Sequence, residues 1–376
     1  MAPHTFLSVS TLLLFLFQLL LLLPPATCQT QIGFFSGQLN GDYISNTVSI
    51  SGNMIVAGSY ENQPVQVYTC TESACSQFDA IQPVSGSQRF SFNVAIDGTL
   101  VAAHDYETGE VHVFSCSSSP CVSYLSGAIT TQVNNDYGLS FSQNLLVVRN
   151  ANVSGYMVLD CSTSSCSPVS GSPLVIAGMT PMGVVSISNG LVAAAFNDGS
   201  LSYVYFFTCS AAAGCVQLNG NVSTQNILPS LSVSESVVAI GLHDLGTVEQ
   251  GGVIMASCDL VAGSCSESVP LFSSSEAVAG DEFGWAVGLS GSSLVVGAWA
   301  TNSRGGVAYT YACNATYCEQ VGTSFTYTGD QAQDNFGGAI GIAGSLVVIA
   351  AEAYPSNLGK GAVCMFRLSK LASLLY

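Results

Sequence analysis

The sequence predicts an all-β fold built from a repeated four-stranded sheet, and three observations lead to this prediction. Closely spaced pairs of cysteines recur along the 376-residue chain. Apolar, β-branched runs precede each pair. Short Asp-Gly or Ser-Gly turns separate neighbouring runs, as in tight hairpins. Repeats of roughly 40–50 residues with several strands each are typical of a β-propeller. We therefore expect a seven-bladed β-propeller of four-stranded antiparallel blades.

Each repeat is predicted to contain three apolar strands followed by a more polar one. In the first repeat the apolar strands are Val48–Ile50, Met54–Gly58 and Val65–Tyr68. The fourth strand follows the second cysteine of the pair and contains more polar residues. The inner strands are apolar on both faces, whereas the outer strand faces water on one side.

Six cysteine pairs are predicted to form hairpin disulfides. Export to an oxidising compartment would favour disulfides at these spacings. Zinc binding would need further ligands, and the four histidines do not follow the cysteine pairs. The predicted bonds are Cys70–Cys75, Cys116–Cys121, Cys161–Cys166, Cys209–Cys215, Cys258–Cys265 and Cys313–Cys318.

The seventh repeat has Cys364 but no second cysteine, and the N-terminal segment beginning at Cys28 resembles the missing outer strand. Pairing the two terminal segments in one blade would close the ring and remove two open sheet edges. We therefore predict a Cys28–Cys364 bond. In the alternative, cleavage after Cys28 leaves Cys364 as a free thiol.

Residues 1–27 are predicted to be a secretory signal peptide, with the propeller spanning residues 28–376. An apolar run, Phe6–Leu23, is followed by prolines and small residues. An uncleaved signal anchor is the alternative, since this run could nearly span a bilayer. Three sequons, at Asn152, Asn221 and Asn314, predict glycosylation. The expected location is extracellular, either secreted or associated with the cell surface.

The charge balance excludes some partners. The formal net charge is −17, so nucleic acid and anionic lipid head groups would be repelled. Hydrophobic residues make up 48% of the chain and charged residues only 8%, which excludes a disordered protein. We expect no nucleic-acid partner and no membrane span after signal cleavage.

Two repeats resemble a known family. The segment Asp281–Trp299 carries Asp-Glu-Phe-Gly and, further on, Val-Val-Gly-Ala; a similar pattern begins at Asp334. These residues resemble FG-GAP repeats. The resemblance implies the seven-bladed propeller of integrin α-chain head regions, which bind extracellular protein ligands. It also implies that Phe283 and Phe336 pack where blades meet.

The calcium sites of this family are not expected here. Calcium-binding members carry an Asp-rich loop between the first two strands of a repeat. At that place this sequence has segments such as Ser290–Ser293 and Ala343–Ser345, with at most one carboxylate. Calcium prefers six to eight oxygen ligands, usually with several carboxylates. We therefore expect neither a metal nor a cofactor.

The loops between the second and third strands of the repeats share one rim and are the most variable segments. Aromatic and arginine side chains on such loops suit protein or glycan recognition. The candidate ligand-binding residues are Tyr60, Tyr106, Trp299, Arg304 and Tyr354. A solvated rim without a partner is the alternative.

The functional prediction is a non-enzymatic binding or adhesion module with an extracellular protein or carbohydrate ligand. The first alternative is a secreted enzyme that acts on polysaccharide through rim carboxylates, and the second is a structural matrix protein. Two rim loops repeat the pairs His104-Asp105 and His243-Asp244, but these pairs lie three blades apart. A metal or catalytic role for them is therefore not expected, and no catalytic residue is assigned.

Overall fold

The structure is a computed structural model. It describes residues 29–36, 44–59, 63–83, 89–131, 138–224, 228, 230–244, 250–326, 334–352 and 361–368. The predicted signal peptide and Cys28 lie outside these residues. Within them, no helix is long and apolar enough to cross a membrane.

The described strands form antiparallel units of four or five strands, which we number in chain order. Strand β1 (Gln29–Ser36) belongs to the last unit. Unit 1 contains β2 (Ile44–Ser51), β3 (Met54–Ser59), β4 (Val65–Cys70) and β5 (Cys75–Ile81). Unit 2 contains β6 (Asn93–Asp97), β7 (Leu100–Asp105) and β8 (Glu110–Ser115), with the short strands β9 (Val122–Ser123) and β10 (Ile129–Thr130) both paired to β8. Unit 3 contains β11 (Leu139–Ser142), β12 (Leu145–Asn150), β13 (Gly155–Asp160) and β14 (Ser167–Pro168).

The remaining units continue this order. Unit 4 contains β15 (Thr180–Ser188), β16 (Leu191–Asn197), β17 (Ser202–Ser210) and β18 (Gly214–Ser223). Unit 5 contains β19 (Ser230–Ser234), β20 (Val237–Leu242), β21 (Gly252–Asp259) and β22 (Ser264–Phe272), and a bridge from β18 to β22 joins it to unit 4. Unit 6 contains β23 (Ala286–Ser290), β24 (Ser293–Ala298), β25 (Val307–Cys313), β26 (Cys318–Gln320) and β27 (Phe325–Thr326). Unit 7 contains β28 (Phe336–Ala343), β29 (Leu346–Ala351), β30 (Ala362–Leu368) and β1. Two short helices, Ala151–Val153 and α1 (Thr301–Arg304), lie in loops.

Serine side chains on the first strands link neighbouring units. The backbone N–H of Ile96 donates to Ser49 Oγ at 3.3 Å, and that of Leu289 donates to Ser232 Oγ at 2.9 Å. Links of the same kind join Ser51 to Gly98, Ser140 to Ile187, Ser186 to Val233, Ser234 to Gly291 and Ser290 to Gly344. These hydrogen bonds explain why serines alternate with apolar residues in these strands. Each of these bonds joins one unit to the next unit along the chain, so neighbours in sequence are also neighbours in space.

The apolar core lies between the units. Each core cluster combines buried residues from two consecutive units, such as Val67 with Val94, and Val296 with Val253. One cluster joins unit 7 to unit 1 and includes Ile55 and Leu346. Fully burying such a side chain contributes roughly 1.5–3 kcal/mol. Packing between units is therefore a main source of stability. The structure is all-β and consistent with a β-propeller.

The Phe-Gly motifs make the closest contacts between units. Phe336 is fully buried and forms a bridge with Gly306 of the preceding unit. A Cβ atom at Gly306 would overlap the Phe336 carbonyl oxygen, so only glycine fits there. Phe283 and Gly251 repeat this arrangement one unit earlier. The two phenylalanines thus pack where units meet, as the resemblance implied.

The six predicted hairpin disulfides are confirmed. Each closes the turn between the third and fourth segments of a unit. The sequence separations are five to seven residues. Each bond closes a short hairpin turn, and this explains why the two cysteines of a pair are always closely spaced in the sequence.

The predicted Cys28–Cys364 bond is wrong, because Cys364 is a buried free thiol opposite Phe34. Gln29 lies opposite Leu368, four residues beyond Cys364. The predicted partner of Cys364, Cys28, lies outside the described residues. The predicted pairing of the terminal segments does occur, but through β1 and β30 alone.

Candidate functional site

Of the five predicted ligand-binding residues, the structure describes three. Tyr60 and Tyr354 lie outside the described residues. Tyr106 is half-buried in unit 2, whereas Trp299 and Arg304 lie together in unit 6. The Arg304 guanidinium is 5.2 Å from the centre of the Trp299 ring, which is a cation–π distance. Trp299 and Arg304 therefore belong to one site, and Tyr106 does not.

Four more side chains complete this site, which we call the tryptophan cluster. The Trp285 and Trp299 rings are 5.1 Å apart, and the Trp285 and His243 rings are 4.6 Å apart. Both tryptophans of the chain are thus in one place. The cluster consists of His243, Asp244, Glu282, Trp285, Trp299 and Arg304.

The ends of strands in units 5 and 6 position these side chains. His243 and Asp244 follow β20, Trp299 follows β24, and Arg304 ends α1. Glu282 and Trp285 flank the buried Phe283-Gly284 motif, which packs against unit 5. The cluster therefore spans the boundary between two units. The packed backbones beneath it hold it in place.

Three side chains of the cluster are open to solvent and so available to a ligand. The Trp285 side chain is 38% exposed, Arg304 is exposed, and the Asp244 side chain is 57% exposed. Aromatic rings beside an arginine and carboxylates offer stacking, apolar contact and charge-assisted hydrogen bonds at once. Such a surface suits a partner that is amphipathic and polar at its edges.

Glu282 is held by a specific contact. The Trp299 Nε1–H donates to Glu282 Oε2 at 2.9 Å. Glu282 also adopts a left-handed backbone conformation, with φ of 55°. The matching residue of the next repeat is Asn335, with φ of 56°. Asparagine adopts this conformation more readily than glutamate does. Glutamate is therefore disfavoured at this backbone position compared with asparagine. Unlike asparagine, it supplies a carboxylate to the cluster.

The surroundings of His243 favour its uncharged form. Burial lowers the pKa of the imidazole, and the opposing effects of Asp244 and Glu282 are smaller. The His243 Nε2 atom is 3.5 Å from Asp244 Oδ2. One ligand atom from each of His243, Asp244 and Glu282 lies within 4.8 Å of the other two. The cluster thus has an imidazole and two carboxylates that converge.

Tyr106 belongs to a separate rim region in unit 2. Its ring is 4.9 Å from Phe92, and the Arg89 guanidinium lies 4.8 Å from its centre. His112, on a strand of the same unit, is largely buried, and burial lowers the pKa of its imidazole. This region presents less aromatic surface to solvent than the tryptophan cluster does.

One cleft formed by described residues lies away from the tryptophan cluster. It has a volume of about 460 Å³ and is lined by segments of units 2 and 3, including Leu125, Ile129, Met157 and Cys166. Its described lining contains neither a carboxylate nor an imidazole. The cleft therefore offers no acid–base pair for catalysis.

The three predicted glycosylation sites lie in different settings. Asn152 is exposed in a short helix, and Asn221 is exposed on β18. Asn314 is half-buried, and its Oδ1 atom accepts hydrogen bonds from the backbone of Thr316 and Tyr317. Because an N-linked glycan is attached to the amide nitrogen, the Oδ1 hydrogen bonds of Asn314 are compatible with glycosylation.

Sequence reasoning missed Trp285 and the convergence of His243, Asp244 and Glu282. Trp285 follows the Phe-Gly motif directly, within the FG-GAP-like segment, and was not among the predicted binding residues. The signal for Glu282 was its difference from Asn335 at the same motif position. The convergence itself depends on how two units pack, which no local pattern encodes.

Comparison with known proteins supports the repeat and the fold. Residues 271–311 match the FG-GAP repeat, which confirms the resemblance seen in the sequence. This match contains Glu282, Trp285, Trp299 and Arg304. The chain therefore carries an FG-GAP repeat on a fold like that of a β-propeller. None of the curated protein sequences matches the chain.

Solved structures share the fold at low sequence identity. A chain of a structure described as the Mitotic Checkpoint Complex is 10% identical, with a TM-score of 0.57 over 92% of this chain and 98% of that one. A protein from Lactobacillus plantarum is 13% identical, with a TM-score of 0.49 over 74% of this chain and 84% of its own. The first similarity supports the fold alone.

Proposed function

We propose that the protein is a non-enzymatic extracellular binding module that recognises a protein or carbohydrate ligand through the tryptophan cluster. The observation that carries this proposal is the grouping of both tryptophans with Arg304 at an exposed boundary between units. Tryptophan and arginine are the residues most enriched among those that dominate binding energy. Rigid strand ends hold them, so little ordering entropy is lost on binding.

We further propose that the scaffold is a closed ring of seven blades. The serine links order the units, the core cluster between units 7 and 1 joins the ends, and β1 pairs with β30. The Arg367 Nη2 atom also donates to the Thr71 carbonyl oxygen at 3.0 Å, which ties the last strand to unit 1. A closed ring leaves its rim rigid, as a recognition surface requires.

An extracellular location is part of the proposal. Six disulfides are typical of proteins from oxidising compartments. The predictions of a signal peptide at residues 1–27 and of glycans on Asn152, Asn221 and Asn314 agree with the same location. Mass spectrometry of protein from culture medium would identify the mature N-terminus and the glycans.

The enzyme alternative is less well supported. Asp244 and Glu282 approach each other at about the distance of the carboxylate pair in retaining glycosidases. However, Asp244 points into open solvent, and glycosidases bind their substrate in an enclosing site. A carboxylate pair on an open rim lacks the water-excluding surroundings that shift acid–base groups for catalysis.

Binding assays with matched variants test the proposal. Secreted wild-type protein would be screened against glycans and against extracellular protein fractions, and the best ligand titrated. Trp285→Ala and Arg304→Ala should each weaken binding at least tenfold, whereas Tyr106→Ala, a rim aromatic in unit 2, should leave it unchanged. Equal binding by all four proteins would refute the proposal. Release of sugar products from a polysaccharide by the wild type would support the enzyme alternative instead.

A further inference from the structure

We propose that His243, Asp244 and Glu282 form a binding site for a divalent transition-metal ion of the zinc class. The ion would have three protein ligands and at least one open position. This inference goes beyond the proposed function, because metal binding is measured on the protein alone. The metal site can therefore be confirmed even if no protein or carbohydrate ligand is found.

The spacing of the ligand atoms suits a small tetrahedral ion. Zinc lies about 2.1 Å from nitrogen and oxygen ligands, so two ligands of a tetrahedral site are about 3.4 Å apart. The His243 Nε2 and Asp244 Oδ2 atoms are 3.5 Å apart. The Glu282 oxygen lies within 4.8 Å of both. A rotation of the exposed Asp244 side chain and a small shift of Glu282 would close the remaining gap.

The donor set selects the class of metal. Imidazole suits zinc, copper, nickel and iron, whereas calcium and magnesium prefer oxygen ligands alone. A site with one imidazole and two carboxylates offers too few oxygens for calcium, which takes six to eight. We therefore expect the site to prefer zinc over calcium. This site also differs in place from the loops that carry calcium in FG-GAP repeats.

The tryptophans orient two of the three ligands. Trp299 Nε1–H holds Glu282 Oε2, which leaves Oε1 of that carboxylate for the ion. Trp285 packs against the His243 ring at 4.6 Å and limits its rotation. Groups that fix the orientation of metal ligands commonly raise metal affinity, and their loss costs about 10–100-fold.

Tryptophan fluorescence gives a direct measurement, because both tryptophans lie in the cluster. The secreted full-length protein would be freed of metal with EDTA and titrated with zinc chloride at pH 7, with calorimetry in parallel. We expect a saturable fluorescence change with one ion per chain. Calcium chloride at the same concentrations should produce no change.

Three variants test the assignment. Glu282→Gln and His243→Gln should each weaken zinc binding at least tenfold, while Asp198→Asn, an exposed carboxylate on another rim loop, should leave it unchanged. Circular dichroism and thermal midpoints without metal would establish that all three are folded. Absence of saturable binding by the wild type would overturn the proposal. Unchanged affinity in both Glu282→Gln and His243→Gln would also overturn it, since zinc would then bind elsewhere.

Discussion

The pairs His104-Asp105 and His243-Asp244 occupy equivalent positions in units 2 and 5, yet their surroundings differ. His104 and Asp105 are only 4% and 2% exposed. The His243 side chain is 14% exposed and that of Asp244 is 57% exposed. The same two residues therefore form part of the interior in one unit and part of a surface cluster in the other.

The neighbouring residues account for this difference. In unit 2 the chain turns back directly after the pair, and Asp105 Oδ1 accepts hydrogen bonds from the backbone N–H groups of Glu107 and Thr108. In unit 5 the pair lies beside Trp285 and Glu282 of the next unit. A dipeptide motif at the end of a second strand thus has no fixed role. Its role depends on the turn that follows it and on the adjacent unit.

The largest expected effect is on stability, and it tests whether the His-Asp pairs of units 2 and 5 differ in structural role. Asp105→Ala should lower the free energy of unfolding by about 2–3 kcal/mol, because two backbone N–H groups lose a charged acceptor that is itself buried. Asp244→Ala should change it by less than about 0.5 kcal/mol, as expected for an exposed side chain. Urea denaturation followed by circular dichroism would measure both. Equal losses in the two variants would mean that the two pairs have the same structural role.

A smaller effect concerns pH. Because burial lowers the pKa of His243 in the folded state, the unfolded chain binds a proton there at a higher pH than the folded chain does. Stability should therefore fall as the pH decreases below the ordinary histidine pKa of about 6.5, until the folded imidazole is also protonated.

The variant His243→Gln isolates this contribution. It should lose less stability than the wild type between pH 7 and pH 5, measured as the shift in thermal midpoint. His112, whose pKa burial also lowers, is present in both proteins, so its contribution cancels. If the two proteins lose equal stability over this range, His243 does not titrate differently on folding.

The smallest effect compares two cation–π contacts. Arg89 lies over Tyr106 in unit 2, and Arg304 lies over Trp299 in unit 6. Arg89→Ala and Arg304→Ala should each cost about 0.5–1 kcal/mol of stability. Only Arg304→Ala should also shift the tryptophan emission, since no tryptophan lies in unit 2. An emission shift in Arg89→Ala would indicate that the two regions are coupled.

The sequence predicted most of the fold because its signals are local. Apolar strands such as Met54–Ser59 and the cysteine hairpins follow from patterns within single repeats. The Cys28–Cys364 bond was wrong because the pairing register of β1 and β30 is set by packing over the whole chain. Trp299 and Arg304 lie within one loop, so the sequence alone could place them together. Glu282 and His243 meet only through contact between two units, and no pattern within one repeat predicts that contact.

The pairing of β1 with β30 has a consequence for how the protein is made. Residues 29–36 are synthesised before every other described strand, and their partner, residues 362–368, is synthesised after every other described strand. The sheet therefore stays incomplete, with an exposed strand edge, until residues 362–368 have left the ribosome. Exposed edges of this kind promote aggregation of folding intermediates. The described strand that is made last thus covers an edge that is open throughout the synthesis of the other units.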